Sequence, residues 1–389
     1  MWTHNATKTL DRRHDCTLAE QITGNLLGEG IDSHTIKSRM MTSEREKRFT
    51  SDRQEATDVV VVGAGLIGLA LALELQERGA SVTVIERGRS LCGASIAAAG
   101  MLAAEDPHNP AELGPLSAMS VAGYPAFLRR IEALSGIAVP FQTEATVQYR
   151  AGGAMERLAE RSLDPRQLAT ALLAAVKMTP IRLMEGTQIA AGEDGAQGLK
   201  IRLTSGEELT AGALIYTAGA WTTEVMTGLG CAAVPIVPRK GQMLRLRLPA
   251  RMVLEEVHRS EKIYVVPRRV GLQAGTVLVG ASVEDAGFDT RVDAGTLARL
   301  RELASGLVEA LGCETEAPQV EAWAGLRPGT PDLLPVLGAC ERERHFIASG
   351  HYRNGILLAP GTARVMADVL EGKLPALDIS AFSCSRFRD

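Results

Sequence analysis

The chain has 389 residues, of which 46% are hydrophobic, and a formal net charge of −4. That length and apolar content support one large or two ordinary domains with real cores. The weakly acidic balance and an aromatic content of only 4% speak against a nucleic-acid partner, which selects basic and stacking surfaces.

Six cysteines are scattered at Cys16, Cys92, Cys231, Cys313, Cys340 and Cys384. None forms a CxxC pair, so neither a metal site nor a disulfide framework is expected. Free thiols in a reducing cytoplasm are the better reading. No stretch reaches the roughly 18 apolar residues of a transmembrane segment. Residues 1–57 carry Asp11, Arg12, Arg13, Asp15, Lys37 and Arg39 without an apolar signal-peptide core, and Ser43–Asp58 is almost wholly polar. They read as a disordered N-terminal extension, with a short amphipathic targeting segment as the alternative.

The folded part is expected to begin at Asp58. Asp58–Val62 is a β-branched run suited to a strand buried on both faces of a parallel sheet. A glycine turn, Gly63–Gly68, leads into a helix over Leu69–Arg78 that ends at Gly79. Ser81–Glu86 is a second strand and completes a β-α-β unit. Ala94–Ala104 is a small-residue run, read either as a tightly packed helix or as a segment lying against a cofactor. Ser117–Ser135 and Pro165–Val176 are helices, the latter capped by Asp164. Leu199–Thr204 and Glu208–Leu214 pair around Ser205-Gly206. Pro235–Leu248, Lys262–Pro267 and Val277–Ser282 are strands of a second sheet. Ala294–Leu311 is a helix, and His345–Ala348 is a strand followed by a glycine turn and a helix over Ala359–Leu370.

Gly63, Gly65 and Gly68 have the spacing of a dinucleotide-binding turn. The first permits the tight turn, the second lets a pyrophosphate approach the backbone, and the third lets helix and strand pack closely. The helix N-terminus offers N–H groups and a positive dipole end to phosphates. Glu86 ends the next strand, where a carboxylate accepts hydrogen bonds from a ribose and repels a 2′-phosphate. The strand-rich middle and the late Gly350/Gly355 loop favour FAD over NAD. Arg327, Arg353 and Tyr264 are polar residues in apolar settings. Each arginine is read either as a carboxylate clamp or as a group that fixes a loop through backbone carbonyls.

These stretches carry a resemblance. Val59–Gly68, Ala97–Met101, Ala218–Trp221, Tyr264–Arg268, Trp323–Thr330 and Gly350–Pro360 are similar to segments of the D-amino-acid-oxidase-like FAD-dependent oxidoreductases, in particular the glycine oxidase branch of thiamine biosynthesis. The resemblance implies an α/β fold: a Rossmann-like FAD-binding domain with a second, α+β substrate domain built on an antiparallel sheet. The FAD-binding parts would be 58–140, 164–230 and 323–375. The substrate parts would be 141–163, which is shortened, and 231–322, with a tail at 376–389. By the same resemblance Arg327 grips a substrate carboxylate, Tyr264 assists, and Arg353 lies at substrate and flavin. FAD contacts would come from Leu66, Ile67, Glu86, Arg87, Ala94, Ser95, Ala99, Gly100, Met101 and Ile189, and from the loop His351, Tyr352, Arg353, Asn354, Gly355, Ile356 and Leu357, beside the glycines of the turn.

The implied activity is oxidative deamination of glycine or another small amine or amino acid, such as sarcosine or a small D-amino acid. It gives the imine or glyoxylate and hydrogen peroxide from dioxygen. Related sarcosine oxidases tether their flavin through a cysteine where this chain has Gly325, so the implied FAD is non-covalent. The amine loses its proton before hydride transfer, and no side-chain base is needed at a site without an obvious His or carboxylate. Relatives often form tetramers, which leaves a homotetramer open. Two departures stand out: Arg150–Leu163 is several tens of residues shorter than in the family, and Ile96 replaces a serine. Two alternatives follow: a dehydrogenase with another electron acceptor, and a flavin-binding protein whose catalysis is impaired by the shortened segment.

Overall fold

A computed structural model describes residues 56–388. The expected extension over residues 1–57 therefore lies outside the described residues, except for its last two. Those two already belong to the first strand, Ala56–Val62, which pairs in parallel with Glu208–Tyr216 on one side and Val82–Ile85 on the other. Val60 and Val61 are completely buried, which is the environment that a run of β-branched residues fits. The first sheet orders its strands as Val336–Ala339, His345–Ser349, Glu208–Tyr216, Ala56–Val62, Val82–Ile85 and Arg182–Met184, with the hairpin strands Ile189–Gly195 and Gly198–Leu203 attached at Glu208–Tyr216.

The glycine turn joins this sheet to the helix Leu66–Glu77. Gly63 takes a φ of +108°, a conformation that a side chain would strain. A Cβ on Gly68 would stand 2.1 Å from Gly63 O and 2.6 Å from Thr217 Oγ1. Helix and strand thus meet with no room for a methyl group. The helix begins three residues earlier than its apolar pattern implies, because Leu66 and Ile67 are already in its first turn.

The second sheet is mostly antiparallel, in the order Gln319–Gly329, Val237–Arg247, Thr276–Gly280, Tyr264–Arg268, Val257–Arg259, Thr146–Tyr149 and Met155–Leu158. Alternation divides it into two faces. Leu244, Leu246, Val265, Val277 and Val279 form a core that includes Leu300 and Ala304 of the helix Ala294–Ser305. Met243, Tyr264, Val266, Leu278 and Trp323 form another, packed with Ala97, Ala99 and Met101. The strand Gln319–Gly329 runs across the domain boundary expected at 322/323, so that boundary falls inside one hydrogen-bonded strand. The shortened segment Arg150–Leu163 is a tight hairpin, with Met155–Leu158 folded back on Thr146–Tyr149 at the sheet edge.

The helix expected over Ala359–Leu370 instead begins at Gly355, with Pro360 inside it. Proline lacks the N–H that would bond Ile356 O, and such a site normally breaks a helix. Here the hydroxyl of Tyr124 donates to Ile356 O. Ser120 Oγ donates to Leu357 O at 2.6 Å and accepts from Gly361 N at 3.0 Å. The helix Gly114–Ser135 thus supplies the missing partners, and the helical turn that carries Ile356 and Leu357 survives.

Gly68→Ala is expected to destabilise the chain by about 1–3 kcal/mol, the usual cost of overpacking a filled site. Urea unfolding of the variant beside the wild-type chain measures this; an unchanged midpoint would contradict the close helix–strand contact.

Candidate active site

The turn and the second strand form one corner of the site. Glu86 accepts hydrogen bonds from Ala64 N at 2.9 Å and from Gly88 N at 2.8 Å, so its carboxylate is fixed at the strand end. Ser95 Oγ accepts from Leu66 N at 3.0 Å and ties the short helix Ala94–Ala97 to the first turn of Leu66–Glu77. Ala94 starts that short helix. The guanidinium of Arg87 stacks over the Trp221 ring at 4.2 Å. Ile189 is partly buried against the core that holds Val62 and Ile85.

The small-residue run is neither wholly a helix nor a loose loop. It is helical over Ala94–Ala97 and then extends. Two side chains of the second sheet hold the extended part by its carbonyls: Trp323 Nε1 donates to Ala97 O at 3.0 Å, and Arg268 Nη2 to Ala99 O at 2.8 Å. Gly100 is pressed against Leu163 O, where a Cβ would come within 2.0 Å, and Met101 bridges to Ser162. Sequence reasoning missed Trp323 and Arg268 as positioning groups, since a strand residue's burial against a distant loop leaves no local mark.

The backbone segments that carry Arg327 and Arg353 meet. Tyr352 N donates to Pro328 O at 2.9 Å, which joins the Arg327 strand to the glycine loop. Arg327 is half-buried, and its Nη1 donates to Ser282 O at 3.1 Å. It makes no ion pair with any described residue. Gly241 opposite leaves room for the guanidinium, since a Cβ there would stand 2.3 Å from both terminal nitrogens. Tyr264 is buried on the neighbouring face, with its hydroxyl 3.8 Å from Met243 Sδ and packed against Gly280. Nearby, Lys262 and Val283 are exposed, and Met101 is half-buried.

The loop before the last helix is held from several sides. His351 is buried, and its Nε2 meets Thr362 Oγ1 at 3.0 Å. Burial lowers its pKa to about 3, so it is a neutral structural group at physiological pH. Asn354 Nδ2 donates to Asn109 Oδ1 at 2.9 Å. Gly355, Ile356 and Leu357 form the first turn of the following helix, which has no acidic residue there.

No carboxylate at this site was evident in the sequence, and the fold corrects that reading. Arg353 Nη2 lies 3.5 Å from Asp106 Oδ2. Asp106 also lies 3.8 Å from Arg259 Nη1, and Arg259 meets Glu160 at 2.9 Å and Gln148 Oε1 at 2.6 Å. Arg259 and Glu160 are 2% and 3% exposed, so these charges are removed from solvent. Burial raises the pKa of Asp106, but Arg353 and Arg259 outweigh it and hold the carboxyl below its usual range. For Glu160 the balance reverses: desolvation dominates, and its pKa is raised despite Arg259. Asp106 follows the alanine-rich run, Glu160 ends the short hairpin and Arg259 ends a strand. Nothing local distinguishes these three from solvated charges.

A raised folded-state pKa means that Glu160 adds stability below its unfolded value, near 4.5, and loses it as pH rises through the folded value. Glu160→Gln should remove that loss. Thermal midpoints from pH 4.5 to 8 are expected to fall less steeply with pH in the variant than in the wild-type chain; parallel curves would contradict a buried, desolvated Glu160.

Comparison with known proteins agrees with this geometry. The family described as "FAD dependent oxidoreductase" (DAO) matches residues 58–162 and 144–369. The chain is 32% identical to a glycine oxidase of Geobacillus kaustophilus over 373 residues, a match that takes in 85% of this chain and 97% of that protein. It is 33% identical to a bifunctional ThiO/ThiG protein of Trichormus variabilis, covering 85% of this chain and 55% of that longer one. The crystal structure of the Geobacillus kaustophilus glycine oxidase superposes with a TM-score of 0.79 at 29% identity, covering 86% of this chain and all of the other. Since 85% of 389 residues is about 331, the 373-residue match opens gaps on this side. The two pieces of the family match meet over 144–162, which includes the short hairpin. On the glycine turn, the two-sheet fold and the extent of these matches, the chain belongs to the DAO family of FAD-dependent oxidoreductases.

Proposed function

We propose that this chain is an FAD-dependent oxidase of glycine or a similarly small amino acid, converting it to the imine and then glyoxylate with release of hydrogen peroxide. The observation that carries this reading is Arg327. A half-buried guanidinium with only a neutral carbonyl for a partner is costly unless a ligand supplies the counter-charge. The planar fork of arginine suits a carboxylate held by two parallel hydrogen bonds. The similarity to proteins named glycine oxidase points to the same class of substrate.

The residues present fit the cofactor. Gly63 and Gly68 are required by the chain's own packing, but Gly65 is not: the nearest atom to a Cβ there would be Ser95 Oγ, at 3.7 Å. The open space at Gly65 lies at the N-terminus of Leu66–Glu77, where the N-cap glycine has no side chain of its own and Ser95 Oγ accepts from Leu66 N. A phosphate-bearing ligand is the physical reason to keep that space clear. Gly65, Leu66, Ile67, Glu86, Arg87, Ala94 and Ser95 would hold the dinucleotide part. Ala99, Gly100, Met101, Ile189 and the backbone of His351–Leu357 would hold the rest. Gly325 faces Ala97 so closely that a Cβ would come within 2.5 Å, so this position carries no tethering thiol and the FAD is non-covalent.

Bound there, FAD would supply the acceptor for the hydride equivalent and the route of its electrons to dioxygen. The chain's own work is placement. Arg327 fixes the carboxylate, and the buried Tyr264 face limits the space at the α-carbon. Arg353, steadied by Asp106, closes the site from the loop. Asp106 is committed to two guanidinium groups and held ionised, which suits an anchor better than a proton acceptor. Such positioning accounts for a large share of the rate in a reaction that needs no side-chain base. The thiamine connection rests on the resemblance and on the ThiO/ThiG relative. A cytoplasmic setting suits the free cysteines, and none of the described helices is long and apolar enough to cross a membrane.

Two outcomes are expected. Arg327→Ala should raise KM for glycine about 100-fold, the loss of a charge-assisted contact of ~3 kcal/mol; steady-state peroxide release measures this, and no peroxide from glycine, sarcosine or D-alanine in the unaltered enzyme would overturn the reading. Gly65→Ala should weaken FAD binding at least tenfold yet leave apoprotein unfolding in urea unchanged. Equal FAD affinity in the two proteins would contradict a ligand at the turn.

A further inference from the structure

Three of the cysteines, far apart in sequence, gather around one cavity of about 130 Å³. Cys231, Cys340 and Cys384 line it together with Arg342 and Arg388, and exposed Gly230, Ala232 and Ala233 open it to solvent. Cys231 is engaged elsewhere, with Tyr216 Oη at 3.3 Å and His345 Nδ1 at 3.4 Å. Cys340 and Cys384 line this cavity together, and both pack into the core around Val336 and Ile347. Cys384 Sγ also lies 3.5 Å from Ala339 O, beside Cys340, and 3.9 Å from Arg388 Nη2. The C-terminal segment that carries Cys384 is already docked there: Arg386 pairs with Asp332 at 2.7 Å and Arg388 with Glu341 at 2.5 Å.

We propose that Cys340 and Cys384 are a peroxide-oxidisable thiol pair, a modification site at which hydrogen peroxide joins the C-terminal segment covalently to the end of the strand Val336–Ala339. The two thiols are unequal. Arg388 Nη2, 3.9 Å from Cys384 Sγ, is a cation that favours its thiolate, and the neighbouring Cys340 thiol lowers the Cys384 pKa while its own is raised. Cys384 is therefore the nucleophile, because the thiolate is the reactive form. Its sulfur attacks one peroxide oxygen, the O–O bond breaks, and water leaves with a sulfenic acid on Cys384. The Cys340 sulfur then attacks the sulfenic sulfur. The S–S bond forms, and the second water leaves with the Cys340 proton. Two thiols lose two electrons, and one peroxide gains them. The closed loop contains His345–Ser349, the glycine loop of the candidate site and the helix Gly355–Leu370. That the enzyme makes its own oxidant rests on the oxidase reading above; the pairing of the thiols does not.

The experiment uses the reduced, full-length holoenzyme in two arms: added hydrogen peroxide without substrate, and glycine in air with and without catalase. Free thiols are counted after denaturation, and linked peptides are mapped without reduction. The chain has six cysteines, and the count is expected to fall to four, with a Cys340–Cys384 linked peptide that dithiothreitol removes. Cys340→Ser should leave a trappable sulfenic acid on Cys384, and Cys384→Ser should slow thiol loss at least tenfold. Six thiols remaining, a link to another cysteine, or Cys384 over-oxidised without a link in the added-peroxide arm would overturn the proposal. A link from added peroxide with none from glycine and air would uphold the thiol pair and reject the oxidase reading.

Discussion

A single backbone hydrogen bond, from Tyr352 N to Pro328 O, decides where the site is. Pro328 lies in the edge strand of the antiparallel sheet, one residue after Arg327. Tyr352 lies in the loop that leaves the parallel sheet, one residue before Arg353. The bond therefore joins the backbones of the two arginines across two different sheets. The helix beginning at Gly355 follows the same loop, and its integrity past Pro360 depends on Tyr124 and Ser120 of another helix. A site assembled this way needs a rigid loop. His351, Asn354 and Asp106 supply the rigidity with buried polar contacts.

The charges at the site divide by how they are compensated. Arg259, Asp106 and Glu160 lie away from water, and the partly exposed Arg353 sets a second cation beside Asp106. Burying such groups costs several kcal/mol each, and the mutual attraction offsets that only with good geometry. It does so for Asp106, which two arginines hold ionised, and falls short for Glu160, whose proton affinity rises. Arg327 stands apart, half-buried without a carboxylate among the described residues. The first group explains how the loop is held. The second explains what the site is shaped to receive.

Much of the architecture was legible because its signals are local. Val59–Val62 bounds a buried strand, the glycine spacing marks the turn, and Asp164 caps its helix by accepting from Arg166 N, as its position implied. The family resemblance carried Arg327, Arg353 and Tyr264, which no periodicity singles out. What escaped was set by contacts distant in sequence. Pro360 looked like a helix start, and its interior position is tolerated only because of Tyr124. Asp106, Glu160 and Arg259 looked like ordinary surface charges, because burial of a charge is decided by tertiary packing. The boundary expected at 322/323 falls inside one long strand, Gln319–Gly329, which has no break in composition.

The strand Met155–Leu158 folds back on Thr146–Tyr149, and Glu160 just beyond it meets Arg259. In the proposed reaction Arg327 selects a carboxylate, and the site delivers the neighbouring amine-bearing carbon to the flavin. Anaerobic titration of the holoenzyme with glycine and, separately, with methylamine tests it most directly. Bleaching of the flavin absorbance by glycine and none by methylamine at equal concentration is the predicted result. Equal bleaching by both, or by neither, would contradict it.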